Sequence, residues 1–331
     1  MKKIYKKILI ICPAGAVTGG PEALHQLCSH MNSLGLPAYM CYLPFNQLAS
    51  APKPYECYKT QSTVYEDEPL NLLIFPEVYP MLALKVVHAQ AALWWLSLEN
   101  FLERRHVSPL YDKIRYLKRV IQKRRPHGGA RALKTLLHFS QTEHSSHYLR
   151  SCGIEPIPLI DSINEGYLTN RFLDRIDHKQ DLILYNPTKG WRLTRKLIKA
   201  FPHLQFVPLK GLNREQLSEK LYAAKLYIDF GHHPGRDRLP REAAMHGCCL
   251  ITSRLGSASN AIDLPIPNRY KLDSSTPLFI SEFGDLAYQV LNEFPNHYLA
   301  FNSYRKWLIN EPAIFKKQIK DYFFTNPQVT V

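Results

Sequence analysis

Short apolar runs alternate with amphipathic stretches along nearly the whole chain. Runs typical of buried β-strands occupy residues 8–12, 72–75, 91–97, 137–141, 182–185, 206–209, 226–228 and 248–251. Apolar residues at helical spacing follow several of these runs, most clearly over residues 143–151, 194–200 and 214–223. Because strands and helices alternate, the pattern predicts an α/β fold with parallel sheets.

The alternation is interrupted between residues 153 and 181, where closely spaced prolines favour an extended chain. A chain of 331 residues is long enough for two domains that each bury a core. We therefore predict a first domain over residues 1–165 and a second over 166–304, with a helical tail, 305–331, packing back on the first. We expect the carboxyl ends of both sets of strands to face one cleft.

Polar residues are most concentrated in the loop and helix that follow the strand at 226–228. The loop contains His233, Arg236, Asp237 and Arg238. Pro240 suits a first helical turn, and Glu242 is expected in that turn, at the positive end of the helix dipole. Open α/β sheets bind ligands at the carboxyl ends of their strands, so this loop is a candidate site. A solvated cluster of ion pairs is the alternative.

A second candidate loop follows the first strand. It ends in Gly19 and Gly20, directly before a predicted helix that starts near Pro21. Glycines let the backbone approach a ligand closely, and the free N–H groups of a helix N-terminus attract anions. The spacing matches neither a Walker P-loop nor the dinucleotide-binding fingerprint. A purely structural turn is the alternative.

Two further strands of the first domain end in polar residues. Glu77 follows one of them, and Glu99 with Asn100 follows the next. Polar groups at equivalent strand ends favour a shared binding cleft, although a cap or a loop ion pair would explain each one alone. Trp94 and Trp95 lie in the second of these strands, and alternation along a strand places at least one of them in the core.

Composition and charge point to an anionic partner. The net charge is +14 and 45% of the residues are hydrophobic, so the protein is globular and strongly basic. The seven cysteines are scattered and include no C-x-x-C pair. This argues against a zinc site or a disulfide framework and favours a reduced, cytoplasmic compartment. No apolar run approaches the roughly 18–20 residues that span a bilayer.

Part of the positive charge lies between residues 104 and 134. Its cations are Arg104, Arg105, Lys113, Arg115, Lys118, Arg119, Lys123, Arg124, Arg125, Arg131 and Lys134. Ile114, Leu117 and Ile121 fall on one helical face among them, a pattern typical of a helix on an anionic membrane surface. A solvated loop is the alternative. Nucleic-acid binding is disfavoured, because the stretch has no stacking platform and no nucleic-acid motif.

The order of these features resembles the GT-B fold of nucleotide-sugar glycosyltransferases. The specific likeness is to the family-4-like glycosyltransferases of bacterial polysaccharide and lipopolysaccharide synthesis. Residues 18–23 (TGGPEA), 186–190 (NPTKG) and 241–251 (REAAMHGCCLI) carry the resemblance, which covers most of the chain in order. The chain departs from the family pattern where Pro234 replaces a first glutamate, where the 186–190 loop lacks an arginine, and where GSASN stands at 256–260.

The resemblance implies two tandem Rossmann-like domains and roles for particular positions. Glu242 would accept hydrogen bonds from the nucleotide ribose. Lys189 would neutralise the donor diphosphate, and the amides of Gly19 and Gly20 would assist. Elementary chemistry agrees, because sugar transfer leaves negative charge on the departing phosphate, which cations and N–H groups stabilise. The remaining candidates for donor binding are Asn186, His233, Arg236, Asp237 and Arg238.

The acceptor side needs a general base if the sugar inverts its configuration. The candidates for this base are Glu99, Glu77 and His25. No aspartate pair with metal-binding spacing is present, so we expect no metal ion and no cofactor beyond the nucleotide-sugar substrate.

These observations lead to one principal prediction and two alternatives. The second domain is predicted to hold a nucleotide-sugar donor, and the first a saccharide or lipid-linked acceptor that contacts Trp94, Trp95 and Asn100. The product would belong to a bacterial surface polysaccharide, such as lipopolysaccharide, O-antigen or capsule, made at the inner face of the membrane. One alternative is a transferase that uses a CMP-sugar or phosphoribosyl diphosphate. The other is a non-enzymatic module that binds an anionic surface or nucleic acid.

Overall fold

The computed structural model describes residues 5–45, 48–103, 133–168 and 176–325. These residues form two compact units. The first unit lies within Met1–Asp161 and also takes in Pro234–Arg236 and Ala313–Val331, whereas the second comprises Ser162–His233 and Asp237–Pro312. The sequence predicts boundaries at residues 165 and 305, and the structure places them at 161 and 313.

A six-stranded parallel sheet forms the centre of the first unit. Its strands are β1 (Lys7–Pro13), β2 (Ala38–Leu43), β3 (Asn71–Pro76), β4 (Gln90–Trp95), β5 (Leu137–Ser140) and β6 (Ile157–Pro158), in the order β2-β1-β3-β4-β5-β6. The strands are apolar on both sides because both faces of the sheet are covered. Ile8 and Ile10 pack on one face, and Leu9 and Ile11 pack on the other.

In the described residues, four helices lie between these strands along the chain. They are α1 (Gly19–Ser33), α2 (Pro80–Ala83), α3 (Leu98–Glu103) and α4 (Glu143–Ser151). Helix α4 begins after Thr142, whose side chain accepts a hydrogen bond from Ser145 N. It ends before Gly153, whose left-handed φ of +74° closes the helix in a conformation that favours glycine.

A five-stranded parallel sheet forms the centre of the second unit. Its strands are β7 (Gln180–Tyr185), β8 (Gln205–Pro208), β9 (Ala224–Asp229), β10 (Cys249–Ser253) and β11 (Lys271–Leu272), in the order β11-β10-β9-β7-β8. Its helices are α5 (Trp191–Ala200), α6 (Arg214–Ala223), α7 (Arg238–Met245), α8 (Phe279–Asn292) and α9 (Phe294–Leu299). Because β9 lies between β10 and β7, the loops after these three strands meet at one edge of the sheet.

The last helix, α10 (Asn302–Lys320), belongs to the second unit as far as Pro312 and to the first unit from Ala313 onwards. In the first unit, Phe315 packs against Trp94 with ring centroids 5.9 Å apart, and Gln318 Oε1 accepts a hydrogen bond from Ile160 N at 2.8 Å. The C-terminal part of α10 therefore packs into the core of the first unit.

The alternation of strands and helices agrees with the predicted α/β class. Three strands are missing from the prediction: β2, β6 and β11. The last two have only two residues each, too few for a pattern, whereas β2 has six residues and was overlooked. The basic stretch 104–134 lies outside the described residues, apart from Leu133 and Lys134. Within the parts of the chain that the structure describes, no helix has the length and apolar character needed to cross a membrane.

Candidate functional site

Three loops meet at the carboxyl edge of the second sheet, after β7, β9 and β10. Gly190 has a left-handed φ of +65°, and a Cβ at this position would lie 2.5 Å from Gly231 N. Gly256 has a φ of +62°, and a Cβ there would overlap the carbonyl oxygen of His233. The loops therefore touch through their backbones, which only glycine permits at these positions.

Lys189 crosses this edge of the sheet. The lysine side chain passes over Gly231. A Cβ at position 231 would overlap Lys189 Cγ, so this conformation of the lysine requires glycine there. The ammonium group donates to Asp237 and lies 3.6 Å from Asp229 Oδ2. The lysine that the resemblance assigns to the donor diphosphate is thus paired with two carboxylates. Asp229 is the last residue of β9. It is a carboxylate at the carboxyl end of a strand, as Glu77 and Glu99 are, so the same criterion applied to the sequence would have identified it.

His233 lies between the same two carboxylates. Its side chain is 3% exposed, and its Nδ1 donates to Asp237 Oδ2 at 2.9 Å. Its Nε2 is 3.8 Å from Asp229 Oδ1 and has no hydrogen-bond partner among the described residues. Burial alone would raise the pKa of Asp237. The hydrogen bond from His233 and the Lys189 ammonium outweigh burial and hold that pKa below its usual value.

The same residues offer ligands for a divalent cation. One ligand atom each from Asp229, His233 and Asp237 lies within 4.8 Å of the others. Carboxylate and imidazole groups are ordinary metal ligands. Lys189 is already paired with both carboxylates, however, and a metal ion would have to displace its ammonium group. That no metal ion is needed stays a prediction from the sequence.

Helix α7 begins at Arg238, so Pro240 lies in its first turn, as the sequence predicts. Asp237 is its N-cap residue, Arg238 its first residue and Pro240 its third, so Glu242 lies beyond the first turn. The placement of Glu242 in the first turn was therefore wrong. Pro240 is tolerated because the N–H groups of a first turn have no acceptor within the helix. Asp237 makes no side-chain capping bond, since its carboxylate is engaged by the lysine and the histidine.

Glu242 forms an ion pair with Arg238, one turn earlier on α7. Arg238 Nη2 donates to Glu242 Oε1 at 3.0 Å. The glutamate side chain is 3% exposed, whereas the arginine side chain is 32% exposed. The carboxylate is therefore fixed within the protein, and its cationic partner remains accessible to a ligand.

Two other candidates for donor binding have local structural roles. Asn186 Oδ1 accepts hydrogen bonds from Thr188 N at 3.0 Å and from Thr188 Oγ1 at 2.7 Å, which shapes the loop after β7. Arg236 belongs to the first unit, where its buried guanidinium donates to Asp161 O at 3.1 Å. The polar groups of Asn186 and Arg236 are thus engaged in local contacts, whereas the guanidinium of Arg238 is accessible to a ligand.

In the first unit, Glu77 and His25 are buried and bonded locally. Glu77 Oε2 accepts a hydrogen bond from Leu96 N at 3.1 Å. His25 Nδ1 donates to Pro21 O at 2.7 Å, and its Nε2 accepts from Tyr42 Oη at 2.9 Å. Burial lowers the pKa of His25, so its imidazole is neutral at pH 7. These contacts favour structural roles over the catalytic roles that the sequence suggests.

Trp94 and Trp95 are both core residues with 0% exposure. They pack on opposite faces of the first sheet, as alternation along a strand requires. Trp94 Nε1 donates to Leu159 O at 2.8 Å, and Trp95 Nε1 donates to His138 Nδ1 at 2.9 Å. A side chain without exposed surface offers no face to a sugar, so we assign both tryptophans to packing.

Glu99 has a partner that the sequence did not reveal. His144 Nε2 and Glu99 Oε1 are 2.8 Å apart, with side-chain exposures of 25% and 14%. The two residues follow β4 and β5, which are neighbours in the sheet, so both lie at its carboxyl edge. Asn100 is exposed beside Glu99. A carboxylate bonded to an imidazole is an arrangement that can accept a proton from an acceptor hydroxyl.

Gly19 and Gly20 are the first two residues of helix α1, which begins two residues before the predicted start near Pro21. Thr18 is the N-cap residue and makes no side-chain capping hydrogen bond. A Cβ on Gly20 would meet only Leu96 Cδ1, at an ordinary contact distance of 3.8 Å. The first turn of α1 therefore has room beside its backbone.

Solved structures with the same fold are glycosyltransferases. Anabaena HepE in complex with UDP-glucose superposes with a TM-score of 0.60 at 11% identity, covering 95% of this chain and 98% of that chain. A glycosyltransferase from Rickettsia africae gives 0.61 at 11% identity, covering 98% of both chains. The catalytic domain of Arabidopsis thaliana starch synthase IV, bound to ADP and acarbose, gives 0.54 at 11%, covering 97% and 98%.

These likenesses confirm the predicted GT-B fold. No protein-family model matches the chain, and a search of curated proteins finds no match.

Proposed function

We propose that the protein is a glycosyltransferase that moves a sugar from a nucleotide-activated donor to an acceptor hydroxyl. The observation that carries the proposal is the charge arrangement at the carboxyl edge of the second sheet of a GT-B fold. There the buried carboxylate of Glu242 is paired with the accessible Arg238. Lys189 is held on Asp237, the residue that directly precedes Arg238.

Arg238 and Glu242 suit neighbouring parts of a nucleotide. A carboxylate accepts hydrogen bonds from ribose hydroxyls, and a guanidinium matches the oxygens of a phosphate. When the donor binds, the ion pair between Arg238 and Glu242 would be replaced by two contacts with the ligand: Glu242 with the ribose and Arg238 with a phosphate. Because a buried charge without a partner is costly, this exchange keeps Glu242 satisfied both with and without the donor.

Lys189 suits the leaving diphosphate, whose negative charge grows as the sugar departs. To reach it, the ammonium group would turn away from Asp229 and Asp237. Asp229 would keep hydrogen bonds from Gly231 N at 3.0 Å and from Tyr227 Oη at 3.4 Å. Asp237 would keep its bond from the neighbouring histidine. The lysine can therefore move without leaving either carboxylate unbonded.

We place the acceptor on the first unit, with Glu99 and His144 as the groups that take its proton. The hydrogen bond of 2.8 Å between them orients the imidazole and stabilises its protonated form. Asn100, exposed on the same helix, is available to a sugar hydroxyl. Glu77 and His25 are less suitable, because their polar atoms already bond to the protein.

A nucleoside diphosphate donor is the form that the site supports best. The HepE structure contains UDP-glucose and the starch synthase structure contains ADP. A CMP-sugar has a single phosphate, which brings less negative charge to Lys189 and Arg238 than a diphosphate does. A purely binding module has no need of the Glu99–His144 pair. Since Lys189 and Arg238 supply positive charge at the diphosphate, the proposal includes no required metal ion or other cofactor.

The proposed setting is the synthesis of a bacterial surface polysaccharide at the inner face of the membrane. The acceptor would be a saccharide or a lipid-linked saccharide. The net charge of +14 and the basic sequence 104–134 support this setting. Binding to phosphatidylglycerol vesicles should weaken as salt rises, since charges are screened beyond about 8 Å at physiological ionic strength. Equal binding to phosphatidylcholine vesicles at high salt would contradict it.

The experiment that tests the donor site is thermal unfolding with UDP, GDP, ADP, CMP and phosphoribosyl diphosphate. A nucleoside diphosphate at 100 times its Kd should add about 2.7 kcal/mol of stability. Glu242→Gln should weaken that binding by about ten- to a hundredfold, since hydrogen bonds to charged groups contribute about 1.5–3 kcal/mol. Glu219→Gln, an exposed glutamate on α6, is the matched control and should change nothing.

Two results would overturn the donor assignment. One is that no nucleoside diphosphate stabilises the wild-type protein. The other is that Glu242→Gln and Glu219→Gln bind the preferred nucleotide equally well. Stabilisation by CMP or phosphoribosyl diphosphate alone would instead favour the alternative transferases on the same fold.

A further inference from the structure

An exposed tryptophan lies directly beside the proposed donor site. Trp191 is the first residue of α5 and follows Gly190, whose backbone touches the β9 loop. Its side chain is 44% exposed. Lys189 is two residues away, a span of at most about 7 Å of chain. The other three tryptophans are buried or partly buried, so Trp191 is the accessible indole of this chain.

The indole is held flat against Tyr185, the last residue of β7. The ring centroids are 6.2 Å apart and the planes differ by 18°, which is a stacked arrangement. Tyr185 is 6% exposed and fixed in the sheet. Helix α5 is held to Gly190 O by the N–H groups of Leu193 and Thr194, each at 3.1 Å. The indole is therefore held beside Tyr185, and nearly half of its surface remains accessible.

The helix that begins with Trp191 is positively charged along its exposed side. Its cations are Arg192, Arg195, Lys196 and Lys199, all exposed. Its first turn contains no acidic residue. A cation in a first turn opposes the helix dipole, so this composition is unfavourable for the helix by itself. It suits a surface at which an anionic ligand binds.

We propose that Trp191, backed by Tyr185, stacks against the nucleobase of the donor. The inference rests on the proposed function, because it places the base beside the lysine assigned to the diphosphate. Every nucleobase has an aromatic face, and stacking on a side chain contributes about 1–3 kcal/mol per base with little regard to sequence. The platform therefore holds the base without selecting it, and it should strengthen UDP and ADP binding alike.

The test is a comparison of ligands with and without a base. Kd values for UDP, ADP and inorganic pyrophosphate are measured by calorimetry for the wild-type protein and for Trp191→Ala. Trp191→Ala should weaken UDP and ADP by about 5- to 150-fold. Pyrophosphate, which has no base, should bind as it does to the wild type. Trp191→Phe, which keeps an aromatic ring, should restore part of the loss.

The matched control is Tyr288→Ala. Tyr288 is another exposed aromatic residue of the second unit, stacked on His203 with centroids 5.6 Å apart and planes at 13°. It should leave all three affinities unchanged. Tryptophan fluorescence gives a second readout, since UDP should quench the emission of the wild type and have no such effect on Trp191→Phe.

The possible outcomes separate this inference from the function on which it rests. Unchanged UDP affinity in Trp191→Ala would overturn the stacking role and leave the donor site of Lys189 and Glu242 in place. Failure of the wild type to bind any nucleoside diphosphate would overturn both. Loss of binding to phosphatidylglycerol vesicles in Trp191→Ala, with UDP affinity intact, would assign the indole to a membrane surface and also overturn the proposal.

Discussion

The carboxyl edges of the two sheets both contain polar side chains, but these side chains bond to different partners. In the first unit, Glu77 accepts from a backbone N–H group, and His25 donates to a backbone carbonyl. In the second unit, Lys189 donates to Asp237, and Arg238 donates to Glu242. The contacts in the first unit are hydrogen bonds between a side chain and the backbone, which hold the backbone in place. The contacts in the second unit are ion pairs between two side chains.

This difference separates structural groups from binding groups. A side chain bonded to the backbone cannot change partner without leaving a buried N–H or C=O unsatisfied, which costs about 1–3 kcal/mol. An ion pair with one accessible member can exchange that member for a ligand. The Glu99–His144 pair meets this criterion and also lies at the carboxyl edge of the first sheet, so it is a candidate site in the first unit.

The largest effect should follow from removing the charge of Lys189. Lys189→Met keeps the length of the side chain and should lower kcat by about 100- to 1000-fold, the range found when one group that stabilises developing negative charge is lost. The fold should persist, because Asp229 keeps its bonds from Gly231 N and Tyr227 Oη. Sugar transfer is measured with the nucleotide sugar whose nucleoside diphosphate binds best in the thermal panel.

The control for this variant is Lys220→Met, an exposed lysine on α6, which should retain full activity. Full activity of Lys189→Met itself would remove the lysine from the mechanism. It would also weaken the distinction between exchangeable and structural contacts on which the assignment rests.

The next effect concerns stability and pH, and it involves one of the buried histidines of each unit, His30 in the first and His246 in the second. Burial, and then Lys316, lowers the pKa of His30 from 6.5 to about 4. Burial also lowers the pKa of His246 from 6.5 to about 4, although its bond to Glu242 O acts in the opposite direction. Below pH 6.5 the unfolded chain binds a proton that the folded chain excludes, so stability decreases as the pH falls towards 4.

Each histidine should account for a loss of about 3 kcal/mol over that window. Urea unfolding at several values of pH measures it. His246→Gln should flatten the profile of the second unit, and His30→Gln that of the first. A profile that keeps its full slope between pH 6.5 and 4 in both variants would show that these imidazoles do not control acid stability.

The sequence was sufficient for the fold because strand and helix patterns are local. Most predicted strands lie within a residue or two of the observed ones, and helices α4 and α6 have the predicted bounds. Glu242 was misplaced because the sequence does not show where α7 begins: Asp237 is the N-cap residue, so the first turn ends before Glu242. Proline is compatible with any position of the first turn, so its presence alone does not fix where a helix begins.

The site was predicted only in part, because its contacts are not local. Glu99 and His144 are 45 residues apart, and no spacing in the sequence reveals that pair. Arg236 and Arg238 look equivalent in the sequence, yet they belong to different units. The role of Trp94 and Trp95 also depends on whether helices cover both faces of their sheet, which a single strand cannot show.

A moderate loss of stability without loss of binding is expected for Glu77→Ala. The variant leaves Leu96 N, a buried donor, without its acceptor and should cost about 1–3 kcal/mol. Urea unfolding measures this loss, and calorimetry should show an unchanged Kd for UDP. A clear loss of UDP affinity in a folded Glu77→Ala protein would mean that a buried group bonded to the backbone still serves the donor.

The smallest effect is expected at the start of α1, where the first unit offers its own anion-binding geometry. Gly20 needs no left-handed φ, and a Cβ there would meet only Leu96 Cδ1 at 3.8 Å. Neither backbone nor packing requires glycine, so Gly20→Ala should leave stability unchanged or raise it by up to about 1 kcal/mol. Gly190→Ala is the contrasting control, because its φ of +65° and its contact with Gly231 N make alanine strained.

Gly20→Ala also measures how far the first unit contributes to the donor. The added methyl group obstructs a phosphate at the helix N-terminus without changing any charge. Because Lys189, Arg238 and Glu242 all belong to the second unit, UDP affinity should fall by less than about tenfold, or 1.4 kcal/mol. Calorimetry with UDP measures the change. A loss larger than that of Glu242→Gln would place the diphosphate on the glycine pair, and the assignment of donor and acceptor to the two units would have to be reversed.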